Sequence, residues 1–139
     1  MKKSLPLQQA KWIIEPGCVV LVVGGSMEHA NLMTFSWQTP IHTADPCMIL
    51  LVVNRVRYTY ELIRNNGELT INVPGESLLQ PTHLAGTVSG RGIDKFAHCG
   101  LTPAPASVVE PPLIAECAGH LECRIVETHG VQTHDLLIC

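Results

Sequence analysis

Two short sets of basic and hydroxyl side chains are the residues of this sequence best suited to chemistry. The first set follows an apolar run and opens a helical pattern, and it comprises Arg55, Arg57 and Thr59. The second set surrounds a glycine-rich turn before another helical pattern, and it comprises Ser89, Arg91 and Lys95. Helix N-termini bind anions, and guanidinium, ammonium and hydroxyl groups add donors for phosphate. Either set alone is typical of an ordinary solvated charge cluster. Two sets among nine Lys and Arg residues make phosphate binding an equally good interpretation.

Other reaction centres have no support in the sequence. No G-x-S-x-G elbow is present, and Gly24-Gly25-Ser26 lacks the Gly-Lys-Ser/Thr of a Walker phosphate loop. The glycine-rich stretch 86–92 does not follow a strand with dinucleotide spacing, which argues against a Rossmann site. Cys117, His120 and Cys123 are spaced by three, so an extended strand places the histidine on the opposite face from both cysteines. No second Cys/His pair lies near them, and we expect no metal site.

The apolar runs that must position these residues are mostly strand-like. Their patterns predict strands over 17–23, 31–38, 46–54, 68–75, 113–129 and 133–139. A change of period predicts helices over 56–67, 76–86 and 93–100. Gly67 is a good C-terminal stop for the first helix, and Pro81 is expected to bend or interrupt the second. Because strands outnumber helices without a regular βαβ alternation, we expect a mainly β barrel with short covering helices.

Length and composition limit the organisation and the partners of the chain. Its 139 residues suggest one domain over 1–139, and the apolar end of strand 133–139 suggests that a C-terminal segment is missing. Only 15% of residues are charged, against roughly 25% in an average soluble domain. This favours a surface partly covered by another subunit over a monomer. The net charge of −3 gives no attraction to nucleic acid or anionic membranes.

The N-terminus and the cysteines indicate the cellular compartment. Residues 1–12 contain two lysines with no apolar region behind them, so we expect no signal peptide. The longest apolar run, 18–23, is too short to span a bilayer. Most of the six cysteines lie inside apolar runs and are expected to be buried and reduced. We therefore expect a cytoplasmic protein.

The stretch NLMTFSW, residues 31–37, places two hydroxyls on one strand face beside one of only two tryptophans. Three further blocks follow it in order: NRVRYTYELIRNNGELTINVP, GTVSGRGIDKF with CGLTP, and PLIAECAGHLECRIVET. Together the four blocks resemble the flavin reductase-like family of FMN-binding split-barrel proteins, which includes flavoredoxins. The resemblance runs from about Pro16 to the last residue. It implies a split β-barrel of Greek-key type that binds FMN.

The resemblance also implies a role for particular residues. Thr34 and Ser36 would bond the polar edge of the flavin ring, while Met33 and Trp37 would wall its apolar part. The ribityl chain and phosphate would be held by Asn54, Arg57 and Thr59, with Ser89, Arg91 and Lys95 completing the phosphate cradle. The whole implied set is Asn31, Met33, Thr34, Phe35, Ser36, Trp37, Asn54, Arg57, Thr59, Ser89, Gly90, Arg91 and Lys95. His134 matches a position near the nicotinamide, although Thr133 replaces the family's Asp.

Three functions are compatible with the resemblance. The first is an NAD(P)H-dependent flavin reductase, in which hydride passes to flavin N5 and no protein nucleophile is needed. The second is a flavoredoxin-like electron carrier with a small redox-protein partner. The third is a non-enzymatic split barrel that binds another phosphorylated ligand, such as F420. We expect FMN rather than FAD, because both anion sets are of monophosphate size and no adenosine fingerprint is present. The family's homodimer, with the flavin at the subunit interface, agrees with the low charge.

Overall fold

The computed structural model describes residues 18–139. Two expectations lie outside these residues, namely the lack of a signal peptide over 1–12 and the start of the first strand at Gly17. Between residues 18 and 139 the chain forms ten strands and three helices. The strands are β1 Val20–Gly25, β2 Ala30–Phe35, β3 Gln38–His42, β4 Met48–Asn54, β5 Glu68–Val73, β6 Pro103–Ala104, β7 Leu113–Ile114, β8 Gly119–Arg124, β9 Glu127–Val131 and β10 His134–Ile138. The helices are α1 Tyr58–Asn66, α2 Leu79–Thr87 and α3 Lys95–Cys99. The mainly β class is confirmed.

The eight longer strands form two antiparallel sheets of four. The first sheet has the order β2-β1-β5-β8 and the second has the order β3-β4-β10-β9. The chain passes from the first sheet to the second at two points. β2 gives way to β3 after Phe35, and β8 gives way to β9 after Arg124. The two sheets therefore share continuous chain at both crossings, as the halves of a split barrel do.

The buried side chains form two clusters, one on each face of the first sheet. β1 shows why: Val20 and Val22 pack in one cluster with Leu51 of the second sheet, because alternate residues of a strand point to opposite faces. Leu21 and Val23 pack in the other cluster, beneath α2 and α3. The strand β1 is thus buried on both faces. This explains why β1 reads as a continuous apolar run instead of alternating.

The helices agree with the sequence except at two residues. α1 ends at Gly67, which adopts φ 72° and donates its backbone N–H to the Ile63 carbonyl at 2.8 Å. Val56, counted with the apolar face of this helix, precedes it and is 71% exposed. Pro81 does not bend α2, because it stands in the first turn, where a missing N–H costs no helical hydrogen bond. A short 3-10 turn over Glu76–Leu78 leads into this helix.

The expectation of one strand over 113–129 is wrong. The segment contains β7, a turn, β8 and the start of β9. The Cys117 N–H donates to the Ile114 carbonyl in that turn, at 3.0 Å. The break between β8 and β9 lies where the chain passes from the first sheet to the second. There the Ile125 N–H donates to the Gly67 carbonyl and the Val126 N–H donates to the Ile138 carbonyl. Likewise 31–38 is not one strand, since the first crossing separates β2 from β3.

The cysteines carry free thiols, but not all of them are buried. Cys99, Cys117 and Cys123 are buried, whereas Cys18 and Cys47 are exposed because each precedes its strand. Cys117 and Cys123 lie in different apolar clusters, and His120 shares a hydrogen bond with the Ile114 carbonyl at 2.8 Å. Within residues 18–139 no group of three or more potential ligands is placed to hold a metal ion. In the same range no helix has the length and apolar character needed to cross a membrane.

Candidate functional site

A cavity of about 640 Å³ lies between β2, the end of β4, the start of α1 and the segment that ends α2. Its volume is typical of sites that bind small molecules. The lining residues are Asn31, Met33, Thr34, Phe35, Ser36, Trp37, Val52, Val53, Asn54, Val56, Arg57, Tyr58, Thr59, Ala85, Gly86, Thr87, Val88, Ser89, Gly90, Lys95 and His134. They include every residue of the implied cofactor set except Arg91, and also His134. The structure therefore brings four separate parts of the sequence around one space, namely 31–37, 52–59, 85–95 and His134.

β2 supplies the long wall of this cavity. From Asn31 to Phe35 the strand extends for roughly 13 Å, at about 3.3 Å per residue. Asn31 is 4% exposed, and its Nδ2 donates to Thr59 Oγ1 at 2.8 Å, which ties β2 to the first turn of α1. Gly90 packs against the side-chain amide of Asn31, since a Cβ built on Gly90 would lie 1.8 Å from Asn31 Oδ1. A residue with a side chain does not fit at position 90 unless Asn31 moves.

Thr34 anchors helix α2 against the wall. Its hydroxyl donates to the Thr82 carbonyl at 2.6 Å. A Cβ on Gly86 would lie 3.3 Å from the same hydroxyl oxygen, so the helix comes very close to the strand. Because the proton of Thr34 is used in this bond, its oxygen faces a ligand only as an acceptor. The expected contact of Thr34 with a polar ring edge is therefore restricted to a donor such as a ring N–H.

Two cations give the cavity its charge. Arg57 precedes α1, whose N-terminus has no side-chain cap, and Lys95 is the first residue of α3. Lys95 is only 4% exposed, and its Nζ donates to the Ala85 carbonyl at 2.5 Å. Burial lowers the pKa of Lys95, whereas the neighbouring Cys99 raises it and Arg57 lowers it to a smaller extent. Among the described residues that line the cavity none is acidic. The site is therefore suited to an anion.

Trp37 and His134 form an aromatic pair on the lining. Their ring centroids are 5.6 Å apart, with an interplanar angle of 27°, so the rings are stacked. Trp37 is 38% exposed although it belongs to the cavity. His134 begins β10, lies opposite Asn54 in the sheet and shares a hydrogen bond of 3.1 Å with Thr133 Oγ1. Thr133, which replaces the family's Asp, thus still contacts the imidazole.

A buried carboxylate behind the cavity connects the elements that carry it. Asp135 Oδ1 accepts from Arg55 Nε at 2.8 Å and from Arg55 Nη2 at 2.6 Å, and its Oδ2 accepts from the Tyr60 hydroxyl. Hydrogen bonds from Arg55 and Tyr60 hold the pKa of Asp135 below its ordinary value. Burial, and then the contact with Asp135, raise the pKa of Tyr60. The network joins β10, which carries His134, to the β4–α1 turn, which carries Asn54 and Arg57.

Arg55 and Arg91 differ from the sequence expectation, because neither lines the cavity. Arg55 is turned towards Asp135 and also donates from Nη1 to the Gln132 carbonyl at 3.1 Å. Arg91 forms two parallel hydrogen bonds with Glu61, one of them 2.9 Å from Nη1 to Oε2. Each guanidinium has an acidic partner distant in sequence, which local pattern alone does not reveal.

Sequence reasoning missed eight lining residues, mostly small or apolar. They are Val52, Val53, Val56, Tyr58, Ala85, Gly86, Thr87 and Val88. Two signals were available for some of them. Tyr58 stands between Arg57 and Thr59, and the glycine-rich stretch 86–92 extends the wall that contains Ser89. The valines carry no chemical signal: Val52, Val53 and Val56 line the site because β4 ends there, and Val88 because α2 does.

Comparisons with known proteins agree with this geometry. A protein of Archaeoglobus fulgidus without an assigned function is 35% identical over 118 residues, covering 85% of this chain and 66% of its own. The crystal structure of a flavoredoxin from Methanosarcina acetivorans superposes with a TM-score of 0.84 at 30% identity, covering 99% of this chain and 71% of that one. It confirms the split-barrel fold.

A third relative has an assigned activity. The FMN reductase (NADH) RutF of Bradyrhizobium diazoefficiens is 29% identical over 101 residues, covering 70% of this chain and 52% of its own. The chain thus spans between half and two thirds of the length of these two curated relatives. The family profile described as "Flavin reductase like domain" matches residues 15–139. The chain belongs to the flavin reductase-like domain family.

Proposed function

We propose that this chain binds FMN in the cavity and acts as an NAD(P)H-dependent flavin reductase. The observation that carries the proposal is the pair of cations, Arg57 and Lys95, in a cavity whose described lining has no carboxylate. A buried ammonium with a lowered pKa is stabilised by an anion, and a phosphate meets that need. The names of the RutF and flavoredoxin relatives support a flavin as the rest of the ligand.

The residues present fit the phosphate and the polar chain of FMN. Arg57 and Lys95 supply charge, and the uncapped first turn of α1 adds backbone N–H groups beside them. Asn54, Thr59 and Ser89 present amide and hydroxyl groups to the same space, which suits the hydroxyls of a ribityl chain. The half-buried Phe35 and Val52 give the wall an apolar part for a ring.

A flavin held by these residues would supply the redox chemistry, which is acceptance of a hydride. The chain's own contribution is binding, orientation and exclusion of water. Asn31 and Gly90 fix the strand against α1, and Thr34 holds α2 over it. We propose that one side of the site stays accessible beside the exposed Trp37 and that the half-buried His134 contacts the nicotinamide. The six free thiols suit the reducing cytoplasm, where we expect the reaction.

Anaerobic mixing with a nicotinamide donor tests the proposed activity. The FMN-loaded protein is expected to lose the visible absorbance of oxidised flavin within seconds of receiving NADH or NADPH, as typical turnover rates require. Free FMN with the same donor is the control and stays oxidised over that time. A flavin that persists for many minutes with both donors, but is reduced by a small redox protein, would instead establish the electron-carrier alternative. Protein that binds F420 but neither FMN nor riboflavin would support the third function.

We also propose a homodimer with the flavin site at the subunit interface. Trp37, Ile41 and Val131, in or beside strands β3 and β9, are 38%, 47% and 51% exposed. The low charged fraction of 15% points the same way. Light scattering at micromolar concentration is expected to give twice the chain mass of 15.1 kDa. A monomer that retains full flavin affinity would show that the site is complete in one subunit.

A further inference from the structure

The turn between β9 and β10 has residues that do not favour its conformation. Val131 pairs with His134, so only Gln132 and Thr133 connect the two strands. Gln132 has φ 54°, and among residues 18–139 it is the one residue other than glycine with a positive φ. Two-residue turns favour Gly, Asn or Asp at such positions, because other side chains are strained there. Contacts from elsewhere in the chain are therefore needed to hold this turn, and with it the first residue of β10, His134.

Arg55, which directly follows β4, supplies these contacts. Its backbone N–H donates to the Thr133 carbonyl at 3.1 Å. Its Nη1 donates to the Gln132 carbonyl at 3.1 Å, while Nε and Nη2 donate to Asp135 Oδ1 at 2.8 and 2.6 Å. Thr133 and Asp135 are the neighbours of His134 in the sequence. One residue thus holds the chain on both sides of the histidine.

The strand β9 leaves room for the guanidinium of Arg55. A Cβ built on Gly130 would lie 2.5 Å from Arg55 Nη2, so a side chain at position 130 would displace the guanidinium. The planar fork of the guanidinium reaches the carboxylate of Asp135 and the carbonyl of Gln132 together. A lysine ammonium can pair with the carboxylate but lacks this fixed fork. The arginine is therefore suited to a task besides neutralising Asp135.

The histidine held in this way lies on the cavity. Its Nδ1 shares a hydrogen bond of 3.1 Å with Thr133 Oγ1, and its ring is stacked on Trp37 with the centroids 5.6 Å apart. Thr133 belongs to the turn, whereas Trp37 lies between β2 and β3. Both contacts are met only while the turn holds the start of β10 in this place. A relaxed turn would move the imidazole away from Trp37.

We propose that Arg55 is a positioning residue for His134, and that it sets the affinity of the site for the nicotinamide donor without touching flavin or donor. The inference rests on the proposed function, in which His134 contacts the nicotinamide. It goes beyond the stabilising role of the Asp135 network, because it assigns an effect on one substrate to a residue outside the cavity.

Proton NMR of the ligand-free chain tests the placement of the imidazole. Stacking on an indole moves imidazole proton resonances upfield, and the resonance missing from His134→Gln identifies this histidine. Arg55→Lys keeps a cation beside Asp135 but loses the fork, and it is expected to lose most of the upfield shift. Gly130→Ala displaces the guanidinium and keeps all its donors, and it is expected to lose part of the shift. This second variant retains Arg55 and decides the question if Arg55→Lys does not fold.

Donor kinetics of the FMN-loaded protein test the consequence for the site. Arg55→Lys is expected to raise the KM for NADH or NADPH about tenfold, with kcat and FMN affinity within about twofold. Arg124→Lys is the matched control. Arg124 also binds a carboxylate, that of Glu68, and a backbone carbonyl, that of Val108, but it does not line the cavity or contact the turn. It is expected to change neither the KM nor the upfield shift.

Three results would overturn the inference. An unchanged upfield shift in Arg55→Lys and Gly130→Ala would show that the imidazole keeps its place without Arg55. A lost shift with an unchanged KM would show that the place of His134 does not set donor affinity. Equal effects in Arg124→Lys would assign the changes to a general loss of stability. Wild-type protein that binds no flavin would reject the proposed function, whereas the NMR comparison needs no flavin and still decides whether Arg55 positions His134.

Discussion

Arg57→Ala is expected to weaken FMN binding by about ten- to a hundredfold while riboflavin binding stays within about twofold. Riboflavin lacks the phosphate, so the difference between the two ligands isolates the contact that Arg57 makes. The guanidinium has no acidic neighbour on the described lining of the cavity, and its removal leaves Lys95 as the one other cation there. Titration by quenching of flavin fluorescence measures both affinities.

Lys95→Ala should likewise weaken FMN binding much more than riboflavin binding. Arg64→Ala is the control and should change neither affinity, because Arg64 is an exposed residue of α1 that does not line the cavity. Lys95 is buried and bonded to the Ala85 carbonyl, so its removal also affects the contact between α2 and α3. The melting temperature of the ligand-free variants distinguishes a folding defect from a lost phosphate contact. If Arg57→Ala weakens FMN and riboflavin equally, Arg57 supports the fold and the cavity does not bind phosphate through it.

Asp135→Asn is expected to lower the free energy of unfolding by roughly 2 to 3 kcal/mol, because one of the two side chains that donate to the carboxylate, Arg55 or Tyr60, then meets an amide N–H₂. Asp135 is 6% exposed and Tyr60 is 4% exposed. The Arg55 side chain is 43% exposed, so solvent screens its ion pair and the buried Tyr60 contact dominates. Urea denaturation measures the change. Glu61→Gln breaks the exposed pair with Arg91 and serves as control, with a much smaller effect expected.

The difference in the free energy of unfolding between wild type and Asp135→Asn should also depend on pH, which gives an independent check. The pKa of Asp135 is lowered by folding, so its contribution is present above the ordinary aspartate value of about 3.9 and is lost as pH falls below it. The pKa of Tyr60 is raised by folding, so the neutral hydroxyl contributes below about pH 10 and less above it. Wild type and Asp135→Asn should therefore differ most near neutral pH and converge in acid. A difference that grows in acid would contradict this assignment.

Local pattern was sufficient for the elements that hold most of the site. The apolar runs located β1, β2 and β4, and Gly67 marked the end of α1. Arg57 and Thr59 were placed at a helix N-terminus from sequence, and the structure puts both on the cavity. These inferences succeed because strand period, helix period and stop residues act over a few neighbours. The resemblance added Asn31, Asn54 and His134, which carry little signal of their own.

Pairings between residues distant in the chain could not be predicted from the sequence. Arg91 faces Glu61 and Arg55 faces Asp135, separated by 30 and 80 positions. A basic residue beside a glycine-rich turn looks the same whether or not a carboxylate from elsewhere neutralises it. The prediction of a single strand over 113–129 was wrong for a related reason. Alternation shows which residues face inward, but not which of two sheets receives them.

If the cavity binds flavin as proposed, the two cations Arg57 and Lys95 would link the amount of this protein to the supply of flavin. Burial is the main cause of the lowered pKa of Lys95, and the charge of Arg57 lowers it to a smaller extent, so an anion bound beside both would stabilise the folded chain. A ligand that binds only the folded chain, at a hundred times its dissociation constant, adds about 2.7 kcal/mol. Proteases remove unfolded chains continuously, so a cell short of flavin would hold less of the protein. The cofactor would thus regulate its own carrier through turnover, with no separate sensor.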